Sequence, residues 1–414
     1  MKFLLFITPT VPATFEERER LRPIGRNNEK YQEMLTEVRE IAQLADEIGF
    51  DVLSTTEHHF HSEGFELSVA PLLLYADLAA RTERIKFSPL GLVLPSWDPL
   101  RVAEELAMLD HLTKGRIYAG FARGFQDRWL NVMGQHTRVR GAPMDGSATD
   151  DHNRSVYEEY MKIVKMAWTQ ETIDYNGQYY QVPFPYEQGI TRWPAQEWTK
   201  KYGAPGELDE NGVIRRVSVV PAPYQQPHPP LMQPFSLSEK TIRYTARENI
   251  TPWILGPRPE KFVDLCRAYQ QTAAEHGRDL KLGEGVGAMR SLHFADTPEE
   301  LYDITERTTY AAFNEYLGDF GFWEAFRLAD DDEKYPGQML PKSEWTVQRM
   351  FDSQYALGGT PEQVRSQVAD VASCYGNEGE LSWFGLYVEQ GLMPLEETKK
   401  QLRLFGEHVI SHYR

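Results

Sequence analysis

Short apolar runs alternate along the chain with stretches in which apolar residues recur every three to four positions, and these two periods predict strands and helices in turn. Residues 3–7 form an apolar run of strand length, and Met34, Leu35, Val38, Ile41, Ala45 and Ile48 then mark a helix over 31–48. Residues 51–56 lead to a helix around 70–81, and residues 85–94 lead to one that opens at Pro99 with Asp98 as its N-cap. A fourth strand over 116–121 follows the helix stop Lys114-Gly115, and Val156, Tyr160, Ile163, Val164 and Ala167 mark the helix behind it. After residue 183 the pattern dissolves into a polar stretch rich in Pro, Gly and Trp, an insertion over about 185–226. The alternation resumes with strands at 231–235 and 252–255, each followed by a helix, the first from Ser238 to about Glu248 and the second over 258–276. Residues 285–294 and 383–388 supply strands seven and eight, separated by an acidic, aromatic excursion over about 316–350. Such alternation implies parallel strands with crossover helices, so the expected fold is α/β, a single (β/α)8 TIM barrel domain over 1–414 with two insertions.

Composition narrows the partners. With 41% hydrophobic and 25% charged residues the chain is ordinary and globular. Its 61 acidic against 44 basic residues give a net charge of −17, which repels a nucleic-acid backbone or an anionic membrane surface. Any anionic ligand must therefore be held by a local group of donors. The first ten residues are broken by Pro9 and lack a secretory apolar region, and no run approaches the roughly 18 apolar residues of a membrane span. Only Cys266 and Cys374 are present, too few for a disulfide framework, so a reducing, cytoplasmic setting is expected.

In a barrel of this kind the loops that follow the strands carry the chemistry. After the second strand comes Glu57-His58-His59-Phe60-His61, and a neutral imidazole can give or take a proton near pH 7. Side chains alternate at a strand end, so His58 and His59 cannot both face one site. These histidines can instead simply hydrogen-bond to neighbours, or His59 and His61 can hold a metal; the later loops offer only Ser236, Ser238 and Gly256, so no metal is expected. After the fourth strand, Arg123 can clamp a phosphate while Gly124 permits close backbone approach, the alternative being a structural ion pair. After the fifth, Ser236-Leu-Ser238-Glu-Lys-Thr241 opens a helix whose free N–H groups suit an anion, the alternative being plain N-capping by Ser238. Residues 88–95 are almost wholly apolar and can form a wall against a flat ring, with room made by Gly91. The Gly283-x-Gly285-x-Gly287 run precedes a strand rather than opening a helix, so it is no dinucleotide loop.

Taken in order, these windows resemble the luciferase-like flavin-dependent monooxygenases, and particularly the alpha chain of bacterial luciferase. The likeness runs through Glu57-His-His-Phe60, Gly91-Leu-Val-Leu-Pro95, Pro99-x-Arg101-x-Ala-Glu104, Lys114-Gly-Arg116, Gly120-Phe-Ala-Arg-Gly124, Pro227-His-Pro-Pro-Leu231, Ser238-x-x-Thr241 and Gly359-Thr-Pro-Glu362. It implies reduced FMN as co-substrate, bound at the C-terminal mouth of the barrel, and oxygenation of a small organic substrate through a flavin peroxide. His58 falls on the catalytic histidine, and Arg123, Ser238 and Thr241 fall on phosphate-binding positions. Leu90-Gly91 falls on a non-proline cis peptide lying against the flavin. Ala122 stands at a flavin-lining position where the luciferase chain has a reactive thiol, and Leu237 replaces a carboxylate, so light emission with a long-chain aldehyde is not expected. Baeyer–Villiger oxidation, hydroxylation and epoxidation all remain open. The resemblance further implies a separate flavin reductase, and a homodimer is expected. Two other classes fit the same windows, a deazaflavin-dependent oxidoreductase and a non-catalytic flavin-binding protein.

Overall fold

The computed structural model describes residues 1–142, 147–236, 238–256 and 258–414. Their strands, in chain order, are β1 Lys2–Ile7, β2 Val52–Thr55, β3 Lys86–Pro89, β4 Leu92–Val93, β5 Ala119–Ala122, β6 Tyr175–Asn176, β7 Gln181–Val182, β8 Leu231–Gln233, β9 Ile250–Ile254, β10 Gly287–Phe294, β11 Ala356–Gly359 and β12 Trp383–Val388. The chain divides into two compact units, Met1–Gly91 with Leu231–Arg414, and Leu92–Pro230.

In the first unit seven strands run in the order β3-β2-β1-β12-β10-β9-β8, and every neighbouring pair is parallel. Parallel strands covered on both faces lose all contact with water, which is why they read as unbroken apolar runs. Phe3–Ile7 of β1, all of β10 and all of β12 are buried. The crossover helices bury one stripe each. In Asn28–Ile48, capped by the Asn27 side chain and ended by Gly49 at φ 99°, that stripe includes Met34, Val38, Ile41 and Ala45. Phe405, on the helix Leu395–His408, meets the ring of Phe50 in a stacked pair at 5.5 Å and the edge of Phe3 at 5.7 Å. Burying such a side chain contributes about 2–3 kcal/mol.

The observed elements match the expected eight strands, with two refinements. The run at 85–94 is split into β3 and β4 around a cis peptide between Leu90 and Gly91. A further strand, β11, pairs with β10 through Ser291–Phe294, beyond the point where β9 pairs through Gly287 and Ala288. Its sequence, Ala-Leu-Gly-Gly, is too short and too rich in glycine to carry a strand period. The excursion at 316–350 folds into short helical turns in the same unit. It is held by a buried ion pair between Arg349 and Asp331 and by Trp323 stacked on Trp345 at 5.5 Å.

In the second unit β4 and β5 pair in parallel, and the helix Pro99–Thr113 is capped by Asp98, whose Oδ1 accepts from the N–H groups of Leu100 and Arg101. The Trp168 indole, on the helix Ala148–Thr169, donates to the Ala103 carbonyl at 2.9 Å and joins the two helices. The antiparallel pair β6–β7 comes before the insertion, which adds the helix Gln196–Tyr202, and buried Asp110 anchors its end by accepting from the Gln225 backbone and amide, each at 2.8 Å. Among the described residues no helix is long and apolar enough to cross a membrane, and both cysteines are buried free thiols.

Candidate active site

The histidine-rich loop leaves β2 at Thr55 and returns to a helix at Pro71. His58 and His59 diverge, as strand alternation requires. The His58 Nε2 lies 3.5 Å from Glu66 Oε2 with both side chains buried, whereas the His59 Nε2 meets Glu57 Oε1 at 3.0 Å. His61 turns back toward His58, with ring centroids 5.5 Å apart, and its Nδ1 bonds the Phe65 carbonyl at 2.9 Å. Tyr316, where the second insertion begins, brings its hydroxyl to 3.2 Å from the His61 Nε2. His58, His61 and Glu66 each offer a ligand atom within 4.8 Å of the others, the group among the described residues whose atoms suit a cation. The pairing formed is therefore His58 with His61, not His59 with His61.

Beneath this loop the ends of β2 and β3 are tied by a buried tyrosine. The Tyr75 hydroxyl donates to the Ser88 carbonyl and accepts from the Thr55 N–H, both at 2.9 Å, and burial holds the phenol well above its ordinary range. Leu90, 1% exposed, donates its N–H to the Thr55 carbonyl at 2.7 Å just before the cis peptide to Gly91.

The C-terminal ends of β10 and β12 carry a second polar group. Glu389, the residue after β12, is 2% exposed, and neither carboxylate oxygen has a hydrogen-bond partner among the described residues. Burial pushes its carboxyl up to about 7, against a smaller opposing pull from the Thr309 hydroxyl, which is itself engaged with Ser291 Oγ at 2.6 Å. His293 on β10 places its Nε2 3.3 Å from the Thr308 hydroxyl, and burial with the charge of Arg307 drives its imidazole down to about 3, so it is neutral. Thr308 and Thr309 belong to one π-helical turn, Glu306–Tyr310. Such turns are uncommon and concentrate at functional sites.

In the second unit Arg123 follows β5 and forms an ion pair with Asp150, one turn into the helix Ala148–Thr169. Arg154 lies one further turn along. Its Nε is buried without a hydrogen-bond partner among the described residues, and burial together with the charge of Arg123 lowers its pKa. Asp150, Glu158 and Asp151 oppose that shift with their negative charge. Gly124 at φ 84° is dictated by packing as well as conformation, since a Cβ there would lie 2.6 Å from Val93 Cγ1. Ala122 is the last residue of β5 and pairs with Val93. In the first unit Ser238 is the N-cap of the helix Glu239–Arg247, accepting from the Thr241 N–H at 3.3 Å and donating to the Thr241 hydroxyl at 3.0 Å. Leu237 lies outside the described residues.

A family model for luciferase-like monooxygenases matches residues 1–378. The chain belongs to that family. It is 25% identical over 315 residues to the oxygenase component of the flavin-dependent trigonelline monooxygenase of Acinetobacter baylyi, covering 75% of this chain and 71% of that protein. Among solved structures, it resembles the oxygenating constituent of 3,6-diketocamphane monooxygenase from Pseudomonas putida, a type II Baeyer–Villiger monooxygenase in complex with FMN. The TM-score is 0.71 at 20% identity, covering 99% of this chain and 98% of that one. The coenzyme F420-dependent tetrahydromethanopterin reductase of Methanopyrus kandleri gives a TM-score of 0.62 at 14% identity, covering 100% and 99% of the two chains. These likenesses show the fold, an α/β barrel of parallel strands, as the alternating periods imply.

For a luciferase-like monooxygenase, four of the groups above were missed by sequence reasoning. Glu66 sits between apolar neighbours and gives no motif. Arg154 falls four residues after Asp150, a spacing that reads as an ordinary surface ion pair on a helix. Glu389 and His293 each sit at the end of an apolar run, and a charge at a strand terminus was the available signal.

Proposed function

We propose that the chain is the oxygenase of a two-component system that uses reduced FMN and oxygen to oxygenate a small organic substrate. The observation that supports the reading most directly is the Arg123–Asp150–Arg154 group. Beside the Arg123–Asp150 pair the Arg154 Nε is buried without a hydrogen-bond partner among the described residues, and a phosphate there would accept from it. The donor set therefore fits the phosphate of FMN. By the family resemblance Ser238 and Thr241, which bond to each other at the start of their helix, are assigned to the same phosphate, and Ala122, Leu90 and Gly91 to the ring.

When bound, reduced FMN supplies the electrons that activate oxygen. The chain's own contribution is to hold that chemistry dry and to manage one proton. His58 is assigned as the catalytic residue that takes and returns the proton at a ring nitrogen, a role for which an imidazole suits pH 7. The buried surroundings of the His58 loop keep water from competing. Neither unit shows a helix opened by G-x-G-x-x-G after a strand, so reducing equivalents are assigned to a separate reductase. We assign the oxygenase a homodimeric state.

A deazaflavin-dependent activity is the second reading, favoured by the fold shared with the F420-dependent reductase. Equilibrium titration of the purified protein with FMN and with F420, oxidised and reduced, separates the two. Tighter binding of reduced FMN supports the oxygenase. Preferential binding of F420 would replace it.

A further inference from the structure

Cys374 occupies a position that backbone geometry favours for glycine. The helix Pro361–Ala372 ends in a Schellman turn, in which the Cys374 N–H donates to the Val371 carbonyl at 3.0 Å and the Tyr375 N–H to the Asp370 carbonyl at 2.6 Å. The left-handed residue of that turn is Cys374, at φ 51°, where a Cβ carries a steric cost. The surroundings are cleared for the side chain all the same. A Cβ at Gly283 would lie 2.7 Å from the Cys374 Sγ, and one at Gly379 would lie 2.5 Å from it. The Gly283-x-Gly285-x-Gly287 run thus has a packing role. At Gly285 a Cβ would come 2.9 Å from Tyr269, on the helix Pro259–Glu275, so the run lets that helix and the Cys374 turn close on the start of β10.

The same helix carries Cys266, the second cysteine of the chain, and the two buried thiols are hydrogen-bonded to each other. The Cys374 thiol faces the Leu282 carbonyl at 4.0 Å, so the Cys266 S–H is the donor to the Cys374 sulfur. Accepting that bond holds the Cys374 thiol below its ordinary range, with burial opposing. Donating it, together with burial, holds Cys266 well above, against a smaller pull from the charge of Arg290. Arg290 itself, on β10, is fully buried, and its Nε has no hydrogen-bond partner among the described residues. Its terminal nitrogens bond the Met289 carbonyl at 2.8 Å and the Tyr375 hydroxyl at 3.1 Å, neither of them an anion, and its guanidinium lies over the Phe262 ring at 5.6 Å. A buried cation beside a dithiol favours a thiolate there.

We propose that Cys266 and Cys374 are a modification site for hydrogen peroxide, a dithiol that closes to a reversible disulfide and ties the helix Pro259–Glu275 to the turn ahead of β12. Cys374 is the attacking thiol, because it lies two residues from exposed Gly376. Its sulfur attacks one peroxide oxygen, the O–O bond breaks, and the departing hydroxide takes the thiol proton as water, leaving a sulfenic acid. Cys266 then attacks that sulfur, the S–O bond breaks, and a second water leaves. The two thiols lose two protons and two electrons, and the peroxide takes both. An S–S bond is about 2 Å long, so the sulfurs have only to close the gap of their hydrogen bond. The pair lies where β10 and β12 begin, at Gly287 and Trp383, the opposite end of those strands from His293 and Glu389. Closure there strengthens the barrel without entering the site. The oxidant suits the proposed oxygenase, since reduced flavin that meets oxygen without substrate releases hydrogen peroxide.

The test treats the purified full-length protein with hydrogen peroxide, without flavin, and reads it by intact mass, peptide mapping and calorimetry. Wild type should lose the mass of two hydrogen atoms, yield a cross-linked peptide joining Cys266 to Cys374, and recover both thiols with dithiothreitol. The bond closes a loop of about a hundred residues, so the oxidised form should melt about 5 °C above the reduced one. Cys266→Ser should stop at a sulfenic acid on Cys374 that dimedone traps. Cys374→Gly suits the left-handed turn, so it should fold as well as reduced wild type while losing both the cross-link and the peroxide-induced rise in melting temperature. Thiols that survive peroxide, a cross-link only between two chains, or Cys374 carried on to a sulfinic acid with no cross-link would each overturn the proposal. So would an oxidised form that melts no higher than the reduced one, or a dimedone adduct on Cys266 in Cys374→Gly. Failure of wild type to bind FMN would instead sink the flavin reading and leave the peroxide result standing.

Discussion

Replacing Glu389 by Gln should stabilise the protein at pH 8 relative to pH 5. The carboxyl is buried and pushed from 4.5 to about 7, so the folded state resists an ionisation that the unfolded chain accepts freely. The stability this group allows is complete below pH 4.5 and is lost as pH rises through 7. Integrating between those values, the cost to the folded state is about 1 kcal/mol at pH 5 and about 3 kcal/mol at pH 8, so roughly 2.5 kcal/mol disappears across that range. Wild type alone would conceal the effect. His293 is pushed the other way, from 6.5 to about 3, so it destabilises the folded state as pH falls below 6.5, by about 2 kcal/mol at pH 5. The two contributions nearly cancel in the wild-type profile.

The difference between variant and wild type separates them. An amide does not ionise, and whatever it costs to bury in place of the acid is the same at every pH. Scanning calorimetry at pH 5, 6.5 and 8 should therefore show the melting temperature of Glu389→Gln, relative to wild type, rising by about 3 °C between pH 5 and 8, given about 0.9 kcal/mol per degree for a chain of 414 residues. His293→Gln should show the mirror image, a relative gain at pH 5 and none at pH 8. A pH-independent difference for Glu389→Gln would mean that the carboxyl titrates normally and is reached by water. A difference that falls with pH would mean that it is ionised and paired in the folded state.

The remaining expectations concern the site. Arg123→Ala should weaken FMN binding by about thirtyfold, the loss of roughly 2 kcal/mol expected for a charge-assisted contact, and an unchanged dissociation constant would remove Arg123 from the phosphate assignment. His58→Ala should keep the fold and most of the flavin affinity yet lose turnover by about a hundredfold or more, and full activity would return the residue to a structural role. Protein mixed with FMN, reduced nicotinamide and oxygen, with no reductase, should oxidise nicotinamide no faster than flavin alone does. Sustained oxidation above that background would show a self-sufficient enzyme.

Most of the fold was legible because burial writes itself into the period of the sequence. Strands covered on both faces, such as β1 and β12, are unbroken apolar runs, and the helix at Asn28–Ile48 declares its buried stripe. The signals that failed were those in which local sequence and tertiary role diverge. β11 is a strand only because β10 extends past β9 and leaves an edge to be paired. The π turn at Glu306–Tyr310 follows directly from the helix Pro298–Thr305 and leads into Ala311–Glu315, so its apolar period differs from a helix by one inserted residue.

The site was legible in its residue types and not in their pairing. Alternation at the end of β2 correctly separates His58 from His59, but it cannot say which ring acquires a carboxylate, because that depends on where the chain returns. The return is made by Phe60 at φ 65°, Gly64 at φ 79° and Glu66 at φ 50°, three left-handed residues within seven. Only Gly64 announces such a turn by its type, and a Cβ there would come 2.7 Å from Ile24, so that position is fixed twice over. Phe60 and Glu66 give no such notice. The same holds for Arg154, whose spacing from Asp150 would be unremarkable on a solvated helix and becomes informative only once Arg123 has claimed that carboxylate. In each case the chemistry lies in a competition for one charged partner, and composition lists the competitors without naming the winner.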